Sequence, residues 1–282
     1  MSYHISNEQL NNPLLKPLLK ELTQYFTSIG MEFFIIGATA RDIVFGALYN
    51  QEPARKTFDL DIAIAIPDWD AFDKISADLC AIDGFTKDPD QKQRFHFHGK
   101  YELDIVPFGE VARKDDKIYW PPEESHAMSV KGFTEITSDT ITMIIDEEVE
   151  IKVASLPGFF ILKLIAWKDR FYKTTKDAED MAYIIDSYLP IHQENLDEEH
   201  YDIYDDDDYS DFTAGAVILG RDLKKMLTGR DDIRNEIAAI LNEQLEMGEN
   251  SRLLLAAGIH DKLLTFDQIE KAFRTILNEI SD

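Results

Sequence analysis

The chain has 282 residues and a formal net charge of −25, from 54 Asp and Glu against 29 Lys and Arg. This length predicts two domains or one large one, with apolar content sufficient for a core. The charge excludes nucleic-acid binding by the surface at large, so any RNA or DNA contact must rest on a local basic patch.

One cysteine, Cys80, excludes an internal disulfide and a cysteine-based zinc cluster, and its apolar helical surroundings predict ordinary core packing. No run nears the roughly 18 apolar residues of a membrane span. The polar start MSYHISNEQLNN lacks a signal peptide's basic opening and apolar centre. A cytoplasmic protein with no membrane partner is expected.

In chain order, residues 11–29 have helical apolar spacing, with Gly30 placed to end the helix. Residues 31–36 read as a first strand, 39–49 as a helix and 59–66 as a second strand. In that second strand Asp59, Asp61, Ala63 and Ala65 share one face, and Leu60, Ile62, Ile64 and Ile66 the other. Pro67 ends it and Asp68 can cap the helix WDAFDKISADLCAI. Residues 94–99 and 101–108 read as two strands joined by a tight Gly99-Lys100 turn. Residues 130–153 alternate weakly and predict further strands. After Leu156-Pro157-Gly158 the pattern turns helical, with helices over 159–170, 176–188, 211–228, 231–244 and 267–278. An acidic stretch near 193–210 reads as an exposed excursion. The organisation is therefore α+β: an α/β half over 1–156, then a helical half over 157–282.

Three features carry chemistry. The first is the turn Gly37-Ala38-Thr39 between strand and helix. Gly37 permits backbone geometry closed to other residues, and the helix start offers free N–H groups to a phosphate. Thr39 can cap that helix or contact a phosphate oxygen; Arg41 can reach a triphosphate or pair with an acidic neighbour. The second is the pair Asp59 and Asp61, about 6.6 Å apart along one strand face. Paired carboxylates repel, and a divalent cation such as Mg²⁺ (or Mn²⁺) relieves both the repulsion and the desolvation; the alternative is an exposed face with solvated aspartates. Asp104, in the alternating strand YELDIVPF, completes the set as a further metal ligand or as the base activating a hydroxyl. Its other reading is a salt-bridged or solvated residue. Nucleotidyl transfer needs positioning and charge neutralisation more than covalent help, and a carboxylate set supplies the metal ligands without His or Cys.

The third feature is LKLIAWKDRFYKTTKDAEDM. Lys163, Ala166 and Arg170 share a helical face, and Asp177 and Asp180 share the face of the next helix. Either Lys163 contacts substrate phosphates with the aspartates fixing it or Arg170, or the set is an interhelical salt-bridge cluster. His96 and His98 alternate on a strand without further His or Cys ligands nearby, which favours surface or substrate-contact roles. Trp120-Pro121-Pro122 reads as a packed loop.

The order Gly37-Ala38-Thr39-Ala40-Arg41-Asp42, Asp59-Leu60-Asp61, Asp104 resembles the nucleotidyltransferase superfamily that includes polymerase-beta-like and CCA-adding enzymes. Lys163, Ala166 and Arg170 followed by Lys176-Asp177 and Asp180 are similar to the AbiEii/AbiGii group of bacterial nucleotidyltransferases, several of which are toxins of toxin–antitoxin systems. The resemblance spans residues 30–190. It implies a polymerase-beta-like mixed sheet domain followed by helices, and Mg²⁺-dependent transfer of NMP from an NTP to a hydroxyl. It makes Asp59 and Asp61 metal ligands, with Asp104 joining them where three carboxylates are used. Gly37, Ala38, Thr39 and Arg41 would line the triphosphate site with Lys163 and Arg170, and Asp177 or Asp180 would complete the acceptor side. Transfer RNA is the implied acceptor, reached through the basic cluster 163–176, and a cognate antitoxin protein the implied partner. Transfer to a protein side chain or an antibiotic-like small molecule, and a non-catalytic nucleotide-binding regulatory module, are the alternatives.

Overall fold

A computed structural model describes residues 2–10, 12–49, 59–124, 127–193, 196, 200–205 and 209–281. The chain divides into two units, Met1–Phe159 and Phe160–Asp282. The division falls inside a helix, a few residues beyond the Pro157 boundary read from the sequence.

The first unit is built on a mixed sheet of eight strands: β1 (Ser2–Ile5), β2 (Phe33–Ile36), β3 (Asp59–Ala65), β4 (Phe85–Lys87), β5 (Arg94–Phe97), β6 (Tyr101–Phe108), β9 (Thr140–Ile145) and β10 (Val149–Ala154). Their order across the sheet is β1-β9-β10-β2-β3-β6-β5-β4. A separate ribbon pairs β7 (Lys117–Tyr119) with β8 (Ala127–Ser129). Central β3 runs antiparallel to β2 and parallel to β6. Its Leu60, Ile62, Ala63 and Ile64 are 0% exposed, so the middle of the strand is buried on both faces, with Asp59 and Asp61 half-buried at one end and Ala65 exposed at the other.

Helix α1 (Leu15–Ser28) buries Leu15, Leu18, Leu19, Leu22 and Phe26, an apolar stripe at helical spacing. Gly30, at φ +69°, ends it as expected. Helix α2 (Gly37–Tyr49) follows β2 without a linking residue. Helix α3 (Trp69–Ala81) is capped by Asp68, whose side chain accepts from the Ala71 N–H. It buries Phe72, Ile75 and Leu79. Cys80 lies about 100° round the helix from Leu79 and is exposed, which corrects the core placement expected for it. Trp120 packs as foreseen, its ring 5.0 Å from Trp69 and 5.2 Å from Phe72.

Three further differences have local causes. The polar start holds β1, which needs only Ile5 buried and pairs in parallel with distant β9. A short helix α4 (Phe133–Thr137) interrupts the region read as strands. Helix α5 (Leu156–Arg170) starts before Phe159, because a proline in the first helical turn forfeits no hydrogen bond.

The second unit contains most of α5, then α6 (Lys176–Ile191), α7 (Asp211–Leu227), α8 (Asp231–Glu246), the unforeseen α9 (Arg252–Ala257) and α10 (Phe266–Ser281). The acidic excursion is anchored where it is described. Tyr201, Asp202, Tyr204 and Tyr209 are exposed, as expected of the excursion, while His200 and Ile203 are buried and Arg221 pairs with Asp202, which ties it down. Residues 194–195, 197–199 and 206–208 of it lie outside the described residues.

Candidate active site

The β2–α2 junction turns on Gly37, whose φ is +70°. The antiparallel register sets Ile36 opposite Asp61, so the turn lies beside that carboxylate. A Cβ added to Gly37 would sit 2.1 Å from Asp61 Oδ2, far inside any contact distance. Asp61 therefore lies against the head of α2, where unbonded N–H groups and the helix dipole favour negative charge. Thr39 is buried, and its hydroxyl donates to the Asp59 carbonyl at 2.5 Å, fastening α2 to β3 rather than facing a ligand. Arg41 is 1% exposed and bonds Asp42 Oδ1 through Nε and Nη2, at 2.8 and 2.6 Å. Of its two sequence-derived roles, the structure gives it the acidic neighbour, because a buried guanidinium requires a counter-charge.

The strand face beside this turn is acidic. Parallel pairing in register places Glu102 next to Asp59 and Asp104 next to Asp61. On the far side of β6, Arg94 of β5 stands opposite Asp104. Its Nε and Nη2 donate to Asp104 Oδ1 and Oδ2 at 2.8 and 2.9 Å, and its Nη1 lies 2.5 Å from Glu102 Oε2. Bonding to Asp104, joined by the charges of Glu102 and Asp59, raises the guanidinium pKa against the opposing effect of burial. Asp104 takes the salt-bridged form of its alternatives, since a carboxylate only 14% exposed needs a partner. Among the described residues no three His, Cys, Asp or Glu side chains form a ready metal site. Asp59 and Asp61 stand together on their strand face, and Asp104 is held by Arg94.

Tyr101, 2% exposed, lies buried beside Thr39. Burial pushes its phenol up to about 12; a bond with Thr39 opposes this, and the charges of Asp59, Asp42 and Asp61 add to it. The hydroxyl is thus neutral and a donor near neutral pH. Sequence reasoning missed Tyr101, Glu102 and Arg94. The hairpin offered a signal for Arg94: it and Asp104 are equidistant from Gly99, so any hairpin turning there sets them opposite each other.

The helical unit carries its own ionic cluster. Lys163 Nζ lies 3.1 Å from Asp177 Oδ1 and 2.8 Å from Asp180 Oδ2. Arg170 grips Asp177 with Nε and Nη2, both at 2.7 Å. Burial pushes the Asp177 carboxyl up, but Arg170 and Lys163 outweigh it and hold the group below the ordinary carboxylate value. The interhelical salt-bridge reading of this motif is therefore realised. Of the remaining basic cluster, Lys168 pairs with Glu236 at 2.5 Å, while Lys173 and Lys176 are exposed. His96 bonds Asp88 at 2.8 Å, and that bond, with backbone N–H groups of Gln91 and Asp90, lowers the Asp88 carboxyl to about 2. His98 is exposed.

The donor set fits one hard cation. Mg²⁺ takes oxygen ligands and commonly one or two protein carboxylates, with phosphates and water supplying the rest; Asp59 and Asp61 match that requirement.

No protein-family model matches the chain, and no curated protein matches it significantly. Among solved structures it is similar to an antigenic nucleotidyltransferase-like protein from Paracoccidioides brasiliensis, with 17% identity and a TM-score of 0.42 over 74% of this chain and 94% of that one. It is also similar to the antibiotic-resistance factor ANT(2'')-Ia, with 14% identity and a TM-score of 0.33 over 63% of this chain and 81% of that one. Likeness at this level assigns no role to any residue.

Proposed function

We propose that this protein is a metal-dependent nucleotidyltransferase, moving a nucleoside monophosphate from an NTP to a hydroxyl acceptor with release of pyrophosphate. The observation that carries this reading is the packing of the Gly37 turn and the head of α2 against Asp61, with Asp59 on the same strand face. Backbone N–H groups at Gly37 and Ala38 open the helix, the place where a phosphate is best received. The carboxylates beside it would repel a triphosphate unless a cation stood between them. Mg²⁺ or Mn²⁺ held by Asp59 and Asp61 would supply that neutralisation at the phosphate oxygens. The acceptor oxygen attacks the α-phosphorus while its O–H proton passes to water. The bond from the α-phosphorus to the bridging oxygen breaks, and pyrophosphate leaves with that electron pair. Thr39 keeps the turn in register with β3.

The proposed acceptor is an RNA 3′ end, transfer RNA first, as for a toxin restrained by an antitoxin. One observation favours a second reading, a small cationic acceptor. Lys163, Lys168 and Arg170 of the basic cluster are already paired with Asp177, Asp180 and Glu236, which weakens the patch RNA would need. Incubation with Mg²⁺, total RNA and each α-labelled NTP, beside an Asp61→Asn control, tests both. Wild-type-only label in a transfer-RNA-sized band establishes the RNA acceptor. Wild-type-only label appearing on an added aminoglycoside establishes the small one. No label, together with no NTP binding by calorimetry, refutes the enzyme and leaves a non-catalytic module.

A further inference from the structure

Building on the nucleotidyl-transfer reading, we propose that Arg94 acts as the second cation of the site. Its guanidinium occupies Asp104 and Glu102, so the centre takes one divalent ion, at Asp59 and Asp61, instead of two.

Two-metal phosphoryl chemistry places its ions about 3.5–4 Å apart, so a second ion needs a further carboxylate beside the first pair. The β3–β6 register supplies one, Asp104 alongside Asp61. Both its oxygens are taken, Oδ1 by Arg94 Nε at 2.8 Å and Oδ2 by Nη2 at 2.9 Å. The next carboxylate on that face, Glu102, is held by the third guanidinium nitrogen at 2.5 Å. One side chain thus occupies both groups that would complete a second metal site. The β5–β6 hairpin fixes it there: Arg94 is the register partner of Asp104, and Ile105 N–H bonds the Gln93 carbonyl at 2.9 Å. A guanidinium keeps its charge at any pH the protein meets, and its planar fork matches a carboxylate bidentately. It therefore supplies the fixed positive charge that a second ion would bring. Arg94 is a positioning residue: it sets the metal count by holding Asp104.

The test counts ions rather than turnover. Mn²⁺ bound per chain is measured by equilibrium dialysis with a non-hydrolysable NTP analogue counted in the same chambers. Wild type should bind one ion, and Asp61→Asn should weaken it by about tenfold or more. Asp104→Asn should leave count and affinity unchanged. Arg94→Gln, freeing Asp104 and Glu102, should bind two; Arg94→Lys, which keeps the charge, should bind one; Arg94→Gln with Asp104→Asn should return to one. Two ions in the wild type, one of them lost in Asp104→Asn, overturns the role of Arg94 and leaves nucleotidyl transfer standing. A folded Arg94→Gln that stays at one ion overturns it equally. If that variant does not fold, Asp104→Asn decides alone. No bound ion in the wild type, with the analogue present, overturns the transfer reading and this inference with it.

Discussion

Gly37→Ala puts the close approach of turn and carboxylate to a quantitative test, because Gly30 serves as an internal control. The two glycines share nearly the same φ, +70° and +69°, but a Cβ on Gly30 meets nothing within 4 Å. At either site an L-residue in the left-handed region costs about 1–2 kcal/mol, offset by up to about 1 kcal/mol of unfolded-state entropy. Gly30→Ala should therefore cost about 1 kcal/mol. At Gly37 the new methyl would lie 2.1 Å from Asp61 Oδ2, 2.8 Å from its Cγ and 2.9 Å from its Cβ. Asp61 must leave its rotamer, at about 0.5–1.5 kcal/mol, and give up its place at the helix head, at about 0.3–1 kcal/mol. Gly37→Ala should thus cost ~2–3 kcal/mol in total. Urea unfolding followed by tryptophan fluorescence reports on this unit through Trp69 and Trp120. In an Asp61→Ala background the Gly37→Ala penalty should fall, a coupling of ~1–2 kcal/mol, yet stay above that of Gly30→Ala, because the Cβ of residue 61 is retained 2.9 Å away. Equal penalties at the two glycines, or a Gly37 penalty indifferent to Asp61→Ala, would refute the packing argument.

The other expectations concern charge and exposure. Lys163→Met leaves buried Asp177 and Asp180 short of a cation and should destabilise the helical unit by ~3 kcal/mol in thermal melts; a loss within error of zero would show that the cluster carries no stability. Because the folded Asp177 carboxyl lies below its unfolded value, its stabilisation is present above about pH 4 and lost as pH falls through the lowered value. The acid limb of a stability–pH curve should therefore flatten in Asp177→Asn. Tyr101 runs the other way: a phenol raised to about 12 contributes stability that is full below about pH 10 and lost as pH rises toward its folded value. Difference absorbance between wild type and Tyr101→Phe should show that one phenol ionising near 12, and a normal titration would contradict its burial. Cys80 should react with a thiol reagent in the native protein at an unhindered rate, and protection until unfolding would contradict its exposure.

The sequence by itself determined the elements whose signals are local. The period-two alternation of 59–66, stopped by Pro67, fixes β3 and the shared face of Asp59 and Asp61. Gly30 and Asp68 end and start helices through their own backbone and side-chain chemistry, and Gly99 folds the β5–β6 hairpin. The change from alternating to helical spacing near Pro157 marks the passage from mixed sheet to helices. Only the tertiary structure decided what these elements meet. β1 pairs with β9 far along the chain, and its single buried residue, Ile5, is too weak a pattern to read. The choice for Arg41 between triphosphate and neighbour turned on burial, and Thr39 was drawn to a strand carbonyl absent from its own segment. Asp104 was the sharpest case. Its residue type suits a metal ligand and an ion pair equally, and the neighbouring strand chose by setting Arg94 opposite it. Side-chain chemistry in a sequence names what a residue is able to do; desolvation and the partner within about 3 Å select which of those things it does.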